Sequence, residues 1–133
     1  MKVIKIPCDD NTPCTVCDVY DAKDQSDEEC WNVLKDMKRL IGIEWAEIVL
    51  TIIKGRSRTR DFCLIVDEVG KLKDGWQTRI NNRASQFYRG TLFGDPIVGD
   101  VVLCAREWTE LFGECDLAGL TSDEVERLMI FLQ

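Results

Sequence analysis

Four cysteines near the start of the chain, Cys8, Cys14, Cys17 and Cys30, form its sharpest set of metal-ligating residues. Their spacing, C-x5-C-x2-C-x12-C, contains the C-x2-C half-site that a tetrahedral structural zinc uses. The competing assignment is four separate thiols. Cys14 and Cys17 fall in a stretch that reads as a strand, where residues three apart point to opposite faces. Cys30 falls in the first turn of an amphipathic helix, where a small buried residue fits. Separate thiols are the simpler reading, and a structural zinc site built from all four cysteines is the alternative. A redox C-x-x-C fits less well, because that motif starts a helix after a strand. Cys63 and Cys104 lie inside apolar strands and read as core, while Cys115 reads as more exposed.

The sequence contains no histidine. That removes the commonest general base, a major metal ligand and the base of an ordinary serine or cysteine triad. No G-x-S-x-G elbow, P-loop or G-x-G-x-x-G cradle is present. We therefore assign no catalytic residues and expect a non-enzymatic protein. A small-ligand or nucleotide binder, or an enzyme working without histidine, is the alternative.

Lys54, Arg56, Arg58 and Arg60 place four cations at one hairpin tip. Arginine forks match phosphate and carboxylate geometry, so the tip could grip an acidic protein face or, locally, nucleic acid. It could equally be a solvated tip that discourages edge-to-edge association. No aromatics alternate with the cations, which disfavours a platform for stacking bases. Asn81, Asn82 and Arg83 open a short helix beside the Gly94-Asp95-Pro96 turn and could hold an anion. Helix capping by the asparagines is the plainer role, and we favour it. Trp76 follows Lys73-Asp74-Gly75 and could stand exposed as a partner anchor. Trp31, Trp45 and Trp108 read as core.

The net charge of −7 works against non-specific binding to nucleic acid or anionic membranes. Acidic residues concentrate before and at the start of the first helix and again around Glu107 to Asp116, and could imitate a nucleic-acid backbone. Ordinary solubilising surface is the plainer account. The longest candidate apolar run, Ile48 to Ile53, is far too short to span a bilayer, so no membrane is expected. A cytoplasmic location is the default, and there the cysteines stay reduced.

The elements that would position these residues follow from periodicity. Val3, Ile4 and Ile6 make a strand ended by Pro7, with Cys14 to Tyr20 as its return. Ser26-Asp-Glu-Glu29 is a capping box opening a helix with an apolar stripe through Leu34, Met37 and Ile41, closed by Gly42. Glu44 to Lys54 reads as a central strand, paired with Phe62 to Glu68. Val69 to Trp76 reads as an excursion extending the hairpin. A short helix from Asn82 to Arg89, a strand from Ile97 to Arg106 and an irregular stretch to Gly119 follow, with Trp108, Leu111 and Phe112 as a lid. Thr121-Ser-Asp-Glu124 caps a last helix. The expected fold is one α+β domain over residues 1–133, in the order ββ-α-ββ-α-β-α. A mostly antiparallel sheet of about five strands would carry two or three helices on one face.

Three segments carry a family resemblance. They are Asn81-Asn-Arg-Ala84 (N-x-x-A), Ile97-Val-Gly-Asp100 (I-x-G-D) and Leu120-Thr-Ser-Asp-Glu124. In these the chain resembles an uncharacterised family carried by phages, conjugative plasmids and their bacterial hosts. The match covers roughly the last two-fifths of the chain well; the cysteine-rich opening and the arginine-rich hairpin depart from it. The resemblance supplies no catalytic residue. It implies a phage or mobile-element setting. Together with the acidic patches and the basic hairpin, the expectation is a small acidic protein that binds a host or phage protein in the bacterial cytoplasm, for instance as an inhibitor of a defence or nucleic-acid-processing system.

Overall fold

A computed structural model describes residues 1–19, 27–55, 57–109 and 114–132, with backbone alone at 27–32, 109 and 114–116. The strands are β1 (Lys2–Ile6), β2 (Thr15–Asp18), β3 (Ala46–Lys54), β4 (Arg60–Asp67), β5 (Val101–Thr109) and β6 (Glu114–Ala118). The helices are α1 (Asp27–Ile41), α2 (Asn82–Ser85) and α3 (Ser122–Phe131), with 3-10 turns at Gly70–Leu72, Trp76–Arg79 and Arg89–Phe93. The α+β class holds.

The sheet runs β2-β1-β5-β4-β3, and β6 pairs with β5. All its ladders are antiparallel. β5 is the spine: its first half pairs with β1 through Val101 to Leu103, and its second half with β6 from Ala105 onward. β6 and β1 therefore follow one another along the same side of β5, joined where the Leu120 amide donates to the Lys2 carbonyl at 2.8 Å.

The helices occupy both faces of the sheet, where the sequence pattern predicts one. β4 is buried at every position from Phe62 to Val66, and β5 from Val101 to Ala105. Such unbroken apolar runs need cover above and below. On one face α1 lays Val33, Met37 and Ile41, spaced i, i+4 and i+8, over Val3, Cys63, Ile65, Val102 and Cys104. On the other, α2 and α3 cover Ile4, Phe62, Leu64, Val101 and Leu103, with Leu128 and Leu132 as anchors. Gly42 takes φ +66° just past α1, the left-handed cap that glycine adopts without a steric penalty. At α3 both arms of the capping box form: Glu124 N–H donates to Thr121 Oγ1, and Thr121 N–H to Glu124 Oε1.

Other expectations are corrected. β3 is an edge strand, not a central one, because β4 and β5 rather than β3 carry the doubly buried runs. The stretch after Arg106 is not irregular: β5 continues through Trp108, and β6 returns beside it. Leu111 and Phe112 lie outside the described residues, as do Ser26 and the side chain of Trp31. After β4 the chain forms 3-10 turns instead of extending the hairpin.

Candidate functional site

The β3–β4 arm holds the residues that the fold leaves unanswered. Val49 and Thr51 point into the α3-side core, so the alternating side chains of β3 face the other way. Ile48 and Leu50 stand opposite Ile65 and Cys63, hence on the face that α1 covers further inward. α1 does not reach the edge: Ile48, Leu50 and Ile52 are 43%, 49% and 55% exposed. Trp45, at the start of the strand, is also exposed. Beyond Leu50, four residues of β3 advance against two of β4 before Lys54 meets Asp61, a bulge held by Thr51 Oγ1 on the Phe62 carbonyl at 3.1 Å.

The outer edge of β3 is only partly closed. Glu68 N–H donates inward to the Trp45 carbonyl, and the alternation of antiparallel bonding then turns the amides of Ala46, Ile48 and Leu50 outward. At Ile52 the outward amide is met by the Phe87 carbonyl at 2.8 Å. Among the described residues nothing bonds the outer edge from Ala46 to Leu50, about 17 Å of strand at ~3.4 Å per residue.

The four cations at the tip divide into unlike roles. Arg60 is no surface finger. Its Nε and Nη2 donate to both oxygens of Glu124 at 2.9 and 2.6 Å, Nη1 to Glu107 at 2.6 Å, and Nη2 also to the Gly119 carbonyl at 2.7 Å. Burial opposes the charge on Glu124, but donation from Arg60 and from the Thr121 amide outweighs it, leaving that carboxyl below its usual range. Arg60 is held above its ordinary value, first by its hydrogen bond to Glu124. Lys54 and Arg58 are exposed, and among the described residues neither has an ion-pair partner. Arg56 lies outside the described residues.

Trp108 is a site residue that periodicity placed in the core. It stands exposed on the α1 face at the end of β5; its Nε1–H donates to Asp61 at 3.3 Å, and the Arg106 guanidinium lies 4.8 Å from its ring centre. Trp45 is likewise on the surface. A strand of alternating apolar residues signals one buried face, and nothing local says that both alternations are apolar because one serves a partner. Trp76 is half-buried in the 3-10 turn after β4, at the end of the sheet away from Lys54.

The asparagine segment is structural. Asn81 is fully buried: its Nδ2 donates to the carbonyls of Ile6 and Gly99, both at 2.9 Å, and its Oδ1 caps Ala84 N–H at 3.0 Å. Gly99 sits at φ +82° to present that carbonyl. Arg83 clamps the loop after β1 through the carbonyls of Pro7, Asp9 and Thr12. The open hollow beside Asn82 is lined by Asp9 and Asp10, carboxylates that repel an anion. The anion-binding reading of Asn81, Asn82 and Arg83 is corrected accordingly.

The zinc reading fails on direction. Cys14 faces the α3-side core, Cys17 packs under α1, and Cys8 lies beside Asp100 beyond the end of β1. Burial raises the thiol pKa of Cys8 and Cys14, and Asp100 raises that of Cys8 further. Among the described residues no three histidine, cysteine or acidic side chains converge on a metal; the Cys30 side chain lies outside them. Cys63 and Cys104 are core as expected, their Sγ atoms 3.4 Å apart. Among the described residues no helix is long and apolar enough to cross a membrane.

No protein-family model and no curated protein matches the sequence. Among solved structures, the small RNA methyltransferase HEN1 is similar in fold, with a TM-score of 0.56 and 16% identity. The match takes in 96% of this chain and only 16% of that one. At that identity the likeness extends to the fold alone.

Proposed function

We propose that this chain is a non-enzymatic interaction protein that receives an extended segment of a partner protein along β3. The observation that carries this reading is the exposed row Ile48, Leu50 and Ile52 on a strand whose outward amides, among the described residues, have no partner from Ala46 to Leu50. Strand addition draws affinity from main-chain bonds and specificity from alternate side chains. The fitting partner is a strand of about five residues whose side chains over the row are apolar. An acidic group beyond its end would meet Lys54 or Arg58. Trp45 and Trp108 supply the aromatic anchors that such interfaces favour.

The setting, a phage or mobile element acting on a host protein in the bacterial cytoplasm, rests on the motif resemblance. Inhibition of a defence or nucleic-acid-processing system belongs to that setting. RNA binding in the manner of the structural neighbour's substrate is disfavoured by the charge of −7 and by the sequestration of Arg60.

The test is comparative capture from the native host. The Ile48→Asp, Leu50→Asp double variant should keep the wild-type urea midpoint yet lose the partner. Lys54→Ala, Arg58→Ala should keep the partner but reduce the salt dependence of its association rate. A partner retained equally by wild type and by the β3 variant rules β3 out as its seat.

A further inference from the structure

The β3–β4 arm has a second side. Where α3 crosses it, a cavity of ≈ 390 Å³ opens between the strands and the helix. Its volume falls within the range of small-molecule sites, about 300–1,000 Å³. Ile53, Phe62, Leu128 and Phe131 make an apolar body for it. Leu128 and Phe62 belong to the core, whereas Phe131 is exposed and forms the outer wall.

The charges around this cavity are unequal in availability. Arg60 and Glu124 both line it, yet they are locked together: four of the five Arg60 N–H donors are engaged inside the protein, and one on Nη1 is left. At the rim Arg127 lies 4.0 Å from Asp123, a pair with both side chains more than half exposed. Exposed pairs of that kind are weak and readily rearranged. Lys54 also lines the cavity and has no ion-pair partner among the described residues. An apolar pocket thus carries an available cation at its mouth, on a chain whose net charge is −7.

We propose that this cavity binds a small monocarboxylate with a compact apolar body, aliphatic or aromatic. The body would lie between Phe62, Leu128 and Phe131, and the carboxylate would meet the Lys54 ammonium, with Arg127 second. A dianionic phosphate fits less well, because it would give up more hydration inside apolar walls and face Glu124 and Asp123. A neutral molecule would leave the Lys54 ammonium unanswered. This site lies on the α3 side of the arm and does not depend on strand addition to β3.

Octanoate is the probe, compared with octan-1-ol and octylamine by amide-resolved NMR titration. Octanoate should give saturable shifts at Ile53, Phe62 and Leu128 with a submillimolar Kd, and octan-1-ol should bind more weakly. Lys54→Met, which keeps the apolar stem, should weaken octanoate roughly tenfold and leave octan-1-ol unchanged. Phe131→Ala, at an exposed position, should weaken both. Either of two results overturns the proposal: no saturable octanoate shift at these residues, or equal binding of octanoate and octan-1-ol with Lys54→Met without effect.

Discussion

Around Asn81 the chain answers its own polar groups but for the buried Nε of Arg83, while along β3 it leaves groups for something else. The Asn81 side chain closes three internal hydrogen bonds and Arg83 closes three more, tying β1, α2 and the start of β5 into one joint. On β3, three aliphatic side chains stand half in water, and among the described residues a stretch of strand edge has no neighbour. Both regions contain residues that invite a functional reading. The contrast shows how to separate them: the first satisfies the rules of a folded interior, and the second breaks them at the surface. Exposed apolar rows and open edges are a hazard to a soluble protein unless they have an occupant.

The largest expected effect tests the joint. Asn81→Ala strands the Ile6 and Gly99 carbonyls and the Ala84 amide in the interior. Each unanswered buried group costs about 1–3 kcal/mol, so the loss should be at least ~3 kcal/mol, or the chain should fail to fold. Urea denaturation measures it. A loss below ~1 kcal/mol would place water in the joint and blur the contrast.

Arg60 stands between the two regions, since it sits in the arm yet behaves like the joint. Arg60→Met leaves Glu107 and Glu124 close together with no cation. A fully buried pair broken this way loses about 3–5 kcal/mol; with Glu107 partly in solvent, ~2–3 is the expectation. The sign of the pH dependence is definite. The Glu124 carboxyl is depressed in the folded chain, so its contribution is fully present above the ordinary glutamate value of about 4.3. It is lost as pH falls through the lower, folded value. The urea midpoints of wild type and Arg60→Met should therefore differ most at neutral pH and converge in acid. A gap that stays constant from about pH 7 to pH 3 would mean that packing, not charge, is what Arg60 supplies.

Local signals foretold much of the helical scaffold and little of the arm. Thr121 to Glu124, the stripe through Met37 and Ile41, and Gly42 were legible because caps and periodicity involve neighbours in sequence. The unbroken runs Phe62 to Val66 and Val101 to Ala105 also held the clue to helices on both faces. Strand order was not legible, since nothing within Glu44 to Lys54 distinguishes a doubly buried strand from an edge with an exposed apolar row. The same limit hid the fate of Arg60. In sequence it is one of three alternating arginines, but its carboxylate partners lie 47 and 64 residues away. The N-x-x-A and I-x-G-D segments prove to be the two halves of the Asn81 joint.

The smallest effect is the most discriminating, because it compares neighbours on one strand under the same final residue. Val49 is buried on the α3 side, and Leu50 is half exposed on the other. Val49→Thr places a hydroxyl of nearly the same shape in the core with no assigned acceptor, at a cost of about 1–3 kcal/mol. Leu50→Thr changes a surface position to another residue that favours strands, and should stay within ~0.5 kcal/mol of wild type. Capture of the partner should follow the opposite order, lost with Leu50→Thr and retained with Val49→Thr under conditions where that variant is folded. Urea midpoints of the two purified chains decide the first half without any knowledge of the partner. Equal destabilisation would mean that some other part of this chain covers Leu50, in which case β3 has no vacancy to offer.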